Sequence, residues 1–222
     1  VDLHWHLTAM SWFRATTAID LEALWSNALP MDIGSATALR LCPEDEVIHL
    51  CYHTAIHHGL AHPHGYRDLL RVIDIEKDAL DWDVLTRRAR TWRISVAVWA
   101  ALSTAQLMAD RAREQPDLIP LDALEALQVP GWRQRLLQPG LRHAVHGRAA
   151  LVSGSMRFLG ILLVDLVRDL PSVVLRGLFP GRRWLQSRYD LTSRQAFWRQ
   201  FIYPCEVMGR ALGVVMDRAF GR

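Results

Sequence analysis

Lysine is almost missing from this chain of 222 residues: Lys77 stands alone beside 25 arginines in a basic complement of 26. That bias reads as the imprint of a GC-rich genome rather than as a separate demand for each guanidinium. Cysteine is scarce as well. Cys42, Cys51 and Cys205 are odd in number and form no C-x-x-C pair, which argues against a disulfide scaffold or a zinc knuckle and fits a reducing, cytoplasmic setting. No run reaches the roughly 18 uncharged residues of a membrane span. The most apolar stretch, Leu151 to Phe179, is interrupted by Arg157, Asp165, Arg168, Asp169 and Arg176. Thirteen glycines and ten prolines are too few for a fibrous or low-complexity chain. Walker A, G-x-G-x-x-G, G-x-S-x-G and H-E-x-x-H motifs are all absent, which removes the usual signatures of P-loop, dinucleotide, α/β-hydrolase and zincin sites.

What is present suffices for a folded protein with a core: half the residues are apolar, 22% are charged and nine are tryptophan. Val1 to Leu7 (VDLHWHL) alternates strictly, predicting a strand with Asp2, His4 and His6 on one face. A strand needs partners, and the one nearby candidate, Met31 to Leu41, is only weakly extended in pattern. The partners are therefore expected upstream of Val1, in a longer protein of which this chain is the C-terminal part; a valine-coded start is the competing explanation.

The rest reads as helix, giving a mainly α fold after one N-terminal strand left from an α+β core. Thr17 is the expected cap of a helix over 18–27, with Asp20 in its capping box. Pro43 with Glu44, Asp45 and Glu46 opens another helix, which Gly59 follows. Helices are expected over 66–75, over 82–90 behind an Asp81 cap, and over 94–113. Further helical runs fall near 132–137, 141–152, 155–170, 172–178, 193–202 and 205–219. The expected divisions are 1–40, a remnant of the core; 41–113, a helical domain; and 114–222, a basic helical region. Residues 1–110 hold nine basic and fourteen acidic side chains, residues 111–222 seventeen and nine. Such a split suits a polyanion-facing surface or a plainly solvated one.

Three constellations could carry chemistry. Asp2, His4 and His6 could hold a metal, and D-x-H-x-H resembles the first-strand motif of amidohydrolase and PHP-type hydrolases. Those enzymes complete the site from later strands that are lacking here, which leaves a zinc hydrolase as the third choice of function. His49, His53 and His57 step by four along one helical stripe with Glu46, beside the apolar Val47, Leu50, Cys51 and Ala55. They are metal ligands or seam-packing residues. Arg176 to Arg188 (RGLFPGRRWLQSR) interleaves arginine with Phe179 and Trp184, as a nucleic-acid contact through Arg182, Arg183 and Arg188 or as an amphipathic connector.

In order, VDLHWHL (1–7), LCPEDEVIHLCYHTAIHHG (41–59), RDLLRVIDI (67–75), LDWDVLTRRAR (80–90) and, more loosely, LFPGRRWLQSRY (178–189) resemble the uncharacterised nucleotidyltransferase family, a bacterial branch of the polymerase-β-like superfamily. The resemblance implies Mg²⁺ held by three carboxylates and an acceptor hydroxyl attacking the α-phosphorus of an NTP. Asp2 matches the third carboxylate, a catalytic metal ligand, and His4 and Trp5 match the residues after it. His53 and Asp74 match helical positions with a structural or substrate-orienting role. Neither the Gly-Ser turn nor the D-x-D pair of the superfamily is recognised in these residues, which again directs the expectation upstream of Val1. The alternative of another class is a non-catalytic helical module that binds RNA or a protein partner.

Overall fold

The computed structural model describes residues 7, 11–61, 63–112, 118–145 and 161–219. Apart from Leu7, the strand expected over 1–7 lies outside them, and Asp2, His4 and His6 with it. The described residues are mainly helical, with one pair of strands.

After the single turn α1 (Ser11–Arg14) comes α2 (Leu21–Ser26). The expected cap is displaced: Asp20, not Thr17, closes α2, its carboxylate accepting from the Ala23 N–H at 3.0 Å. Thr17 instead donates its hydroxyl back to the Arg14 carbonyl. Asp is the stronger N-cap of the two, so the helix starts three residues later. The weakly extended stretch is a true hairpin, β1 (Leu29–Ile33) against β2 (Ala36–Arg40), antiparallel from Leu29↔Arg40 to Ile33↔Ala36. Gly34, at φ +63°, supplies the left-handed position the two-residue turn needs. The pattern is faint because β1 buries neither face, so nothing selects alternation.

α3 (Pro43–Tyr52) runs into a π-helical turn, His53–His57, and α4 (Pro63–Glu76) returns beside it. α5 (Trp82–Thr91) has the expected Asp81 cap, which accepts from the Val84 N–H at 3.0 Å. α6 (Ser95–Ala112), α7 (Leu121–Ala126) and α8 (Gly131–Val145) follow. A 3₁₀ turn (Val167–Asp169) leads to α9 (Leu170–Leu178), α10 (Arg182–Tyr189) and α11 (Ser193–Ala219). Two expected breaks are absent, since α8 continues through Pro139 and α11 through Pro204. A proline costs one backbone bond without obliging a helix to stop when packing holds both sides. The stretch Arg176 to Arg188 forms the end of α9 and most of the short helix α10. The helix expected over 155–170 does not persist through 163–166, because those residues are engaged elsewhere.

What engages them is α6. Val96, Ala97, Val98, Trp99, Ala100, Ala101 and Leu102 are buried in succession, the mark of a helix surrounded on all sides. α3, α4, α5, α7, α8 and the π turn all pack on it. Its first amide groups therefore have no water to meet. Asp165, seventy residues on, accepts from the N–H groups of Ser95 and Val96, both at 2.9 Å. The guanidinium of Arg133, on α8 and 1% exposed, donates to the carbonyls of Val164 (2.8 Å) and Asp165 (2.9 Å). A separate small core, Leu185, Ala196 and Tyr203, joins α10 to α11.

Removing the Asp165 carboxylate strands two helix-terminal donors, so Asp165→Ala should lower unfolding free energy by about 2 kcal/mol in urea titrations. Burial holds the Asp165 carboxyl above the ordinary aspartate range, although the Val96 and Ser95 amides and Arg133 pull it back. A folded-state pKa raised in this way means the native protein binds more protons than the unfolded chain just above that range. The contribution is thus full at lower pH and lost as pH rises through the folded value. Asp165→Asn should flatten that part of the stability profile.

Thiol labelling checks the core independently. Cys205 is exposed, while burial pushes the thiols of Cys42 and Cys51 up. One cysteine should react promptly with a maleimide at neutral pH, and the other two only on unfolding.

Candidate functional site

Glu46, His49, His53 and His57 follow one side of α3 and its π turn. Pro43 presets the first turn, and Glu44, Asp45 and Glu46 favour it through the helix dipole. Three consecutive acids on a helix point in three directions, and each has a different fate. Glu44 accepts from the Asp81 N–H at 3.0 Å, tying α3 to the start of α5. Asp45 turns inward, fully buried, and forms an ion pair with Arg88 of α5. The Cys42 thiol donates to its second oxygen at 3.2 Å, and Arg88 also lies over the Trp92 ring, 5.7 Å from its centroid.

Glu46 faces a cleft of about 520 Å³ between the hairpin, α3 and α4, which Met31, Arg40, His49, Val72, Ile75 and Glu76 also line. Arg40 bridges two carboxylates there, at 2.8 Å from Glu76 and 3.7 Å from Glu46. Burial raises the Glu46 carboxyl above its ordinary range; Arg40 opposes the shift and the charge of Glu76 adds to it.

Beyond His49 the strip continues as imidazole. The His49 and His53 rings lie 5.7 Å apart, His53 stacks on His57 at 4.7 Å, and His58 meets His53 edge-on at 4.7 Å. The π turn inserts an extra residue into the helix, a feature common at functional sites. The Nε2 atoms of His53 and His58 are 3.0 Å apart. At that distance one nitrogen must carry the proton and the other the lone pair, so at least one of the rings is neutral. α4 begins against this turn: a Cβ on Gly65 would fall 2.7 Å from the Thr54 hydroxyl. Tyr66 then donates to the Leu60 carbonyl at 2.9 Å.

Of the expected site residues, Asp2 and His4 lie outside the described residues, as does His6. The structure joins His49, His53 and His57 as their spacing predicts, and adds His58. Asp74 is half-buried on α4 and does not line the cleft, which Glu76 reaches instead. Arg182, Arg183 and Arg188 are all exposed on α10, the helix that packs on α11, but they do not share one face of it. Among the described residues no group of three or more His, Cys, Asp or Glu side chains is placed to hold a metal ion. A literal D-x-D, Asp81-Trp82-Asp83, is a helix cap, and Gly34-Ser35 is the hairpin turn.

Sequence reasoning passed over Arg40, Glu76 and the Asp45–Arg88 pair. Only the last left a trace: Asp45 shares a helical face with Ile48 and Tyr52, an apolar stripe on which a carboxylate demands a partner.

Compared with known proteins, residues 1–110 match the model of the family described as uncharacterised nucleotidyltransferase, the family the motifs resemble. No curated protein and no solved structure matches the chain.

Breaking the buried pair from one side leaves a charge without compensation. Arg88→Met should cost about 3–5 kcal/mol in denaturant unfolding, and Asp45→Asn in the same chain should restore much of it.

Proposed function

We propose that this chain, whose residues 1–110 match the model of the uncharacterised nucleotidyltransferase family, serves the transfer of a nucleotidyl group from an NTP to an acceptor hydroxyl. The family match carries the proposal, and the histidine strip lies inside the matched stretch. In the transfer the acceptor oxygen bonds the α-phosphorus, the bond to the β-phosphate bridge breaks, pyrophosphate leaves, and the hydroxyl proton needs a base. Asp2 would be one carboxylate ligand of Mg²⁺, which when bound offsets phosphate charge and favours the alkoxide. The described residues supply no donor trio of their own, so the metal's share rests on Asp2 and on carboxylates outside them.

The described residues handle binding and protons. The His53–His58 pair can hold a single proton between two nitrogens, which suits His53 for orienting the acceptor or the phosphates, with His4 beside Asp2 in sequence. Asp74 lies near the other end of α4 from the start that packs on the π turn, so its proposed role is structural, within that helix, rather than contact with substrate. The cleft beside His49 gives an acceptor a place with one apolar and one charged wall.

A second function of another class, a helical module that holds RNA or a protein partner without catalysis, draws support from the exposed Arg182, Arg183 and Arg188 on α10. One assay separates the two. The protein isolated from its host should move α-phosphate label from an NTP to an acceptor in the presence of Mg²⁺. Asp2→Ala should reduce transfer by about 1,000-fold and His53→Ala by about 100-fold. No transfer from any of the four NTPs, with salt-sensitive RNA retention instead, would leave the binding module standing and remove the enzyme.

A further inference from the structure

α11 buries one side and displays the other. Ala196 and Tyr203 are buried against α10, with Val207 packed beside them. Away from that seam, Phe197, Trp198, Phe201, Ile202, Cys205 and Met208 form an exposed stripe about 140° wide on a helix of 3.6 residues per turn. These are not isolated surface residues: Trp198 is 60% exposed, Phe201 62% and Met208 61%. The three rings touch one another, Phe197 with Trp198 and with Phe201 at 5.4 Å and Trp198 with Phe201 at 6.5 Å. A contiguous apolar patch of this kind marks a surface that something covers.

Charge selects what covers it. Arg194 lies on the stripe itself, one turn before Phe197 and Trp198. Arg182 reaches from α10 to lie 4.9 Å over the Phe197 ring, held by a 3.1 Å bond to Gln200. Arg183 adjoins Arg182 on this basic rim, while Arg188 lies about 120° round α10 from Arg182. Among the described residues Arg199 forms the salt bridge of this region, with Glu206 at 2.9 Å, while Arg182, Arg183, Arg188 and Arg194 have no carboxylate within ion-pair distance. A second copy of the chain would have to bury Arg194 from both sides without a carboxylate to receive it. Single-stranded RNA would stack on the rings but gain nothing from Ile202, Cys205 and Met208.

An anionic bilayer satisfies every part: the apolar side chains enter the acyl boundary, and the arginines lift their heads to the phosphates. No helix of the described residues is long and apolar enough to cross a membrane, so the contact is peripheral. We infer that α10 and α11 form a membrane-surface module, with Phe197, Trp198, Phe201, Ile202 and Met208 inserted among anionic phospholipids and Arg182, Arg183 and Arg194 on their headgroups.

Co-sedimentation of the full chain with phosphatidylcholine vesicles, with and without phosphatidylglycerol, tests this. The protein should pellet with the mixed vesicles, much less with the neutral ones, and be released by salt. Phe201→Glu, and separately Trp198→Ser, should each weaken binding by about ten-fold or more. Arg182→Glu with Arg183→Glu should remove the preference for anionic lipid. All these positions are exposed, so the circular dichroism of each variant should match the parent, with Tm unchanged for Phe201→Glu and Trp198→Ser and lowered by at most a little where Arg182 loses its contacts with Phe197 and Gln200. Failure to pellet at low salt overturns the inference, and so does equal binding to both vesicle types. A dimer in vesicle-free solution that Phe201→Glu dissolves would assign the stripe to a second copy. Oligonucleotide binding that vesicles do not compete would assign it to RNA.

Discussion

The buried N-terminus of α6 is the constraint on which the rest of the structure depends. A helix with seven successive buried residues after its first one, starting at Ser95 and Val96, cannot leave its opening amides to solvent. A carboxylate from far along the chain must come to them, and Asp165 does. Placing a carboxylate inside costs desolvation, which is why its acidity falls even with two amide donors. Arg133 holds the carbonyls of Val164 and Asp165 from α8, so a single knot sets α6, α8 and the segment before α9 in register. The helices that carry the histidine strip pack on α6 and inherit that placement.

A second buried charge sets the strip's rotation. Asp45 faces inward to Arg88, and on a helix this sends Glu46 about 100° away and His49 one turn beyond it, toward the cleft. Glu44 and the Asp81 amide fasten the same turn to α5. Were Asp45 free to turn outward, Glu46 and His49 would not line one cleft with Arg40 and Glu76. The ion pair therefore earns its place through orientation more than through net stability, since a buried pair often does no better than apolar residues of similar volume.

Local chemistry was legible in the sequence where it acts within one turn. Asp81 capping α5, Pro43 opening α3 and the four-residue step from His49 to His57 all depend on neighbours a few positions apart, and they stand in the structure. What depends on distant partners was not. Asp165 read as an interruption of an apolar helix because nothing nearby says that α6 needs it, and the hairpin was faint because its strands bury no face. Thr17 and Asp20 competed locally, and the stronger cap took the helix. Prolines 139 and 204 read as breaks because the packing that carries a helix past a proline lies outside the window. Of the site, the imidazole run was visible, but Arg40 and Glu76 meet Glu46 only through the hairpin and α4, at separations no spacing rule covers.

The family match ends at Asp110, inside α6, but the core packed around α6 draws on residues beyond it. Leu137, Leu141 and Ala144 of α8 complete the same core, with Leu163, Val164 and Val173 beyond them. The histidine strip is in matched sequence, and the floor beneath it is built partly from residues that follow. Variation after residue 110 can therefore reach the strip by shifting α6 without touching an imidazole. The α10–α11 unit is different: Leu185, Ala196 and Tyr203 form a core of their own, and its exposed stripe can change without disturbing the knot at Asp165. One chain thus carries a polar strip that depends on its central helix and an aromatic surface that does not, and substitutions in the two should behave additively in stability.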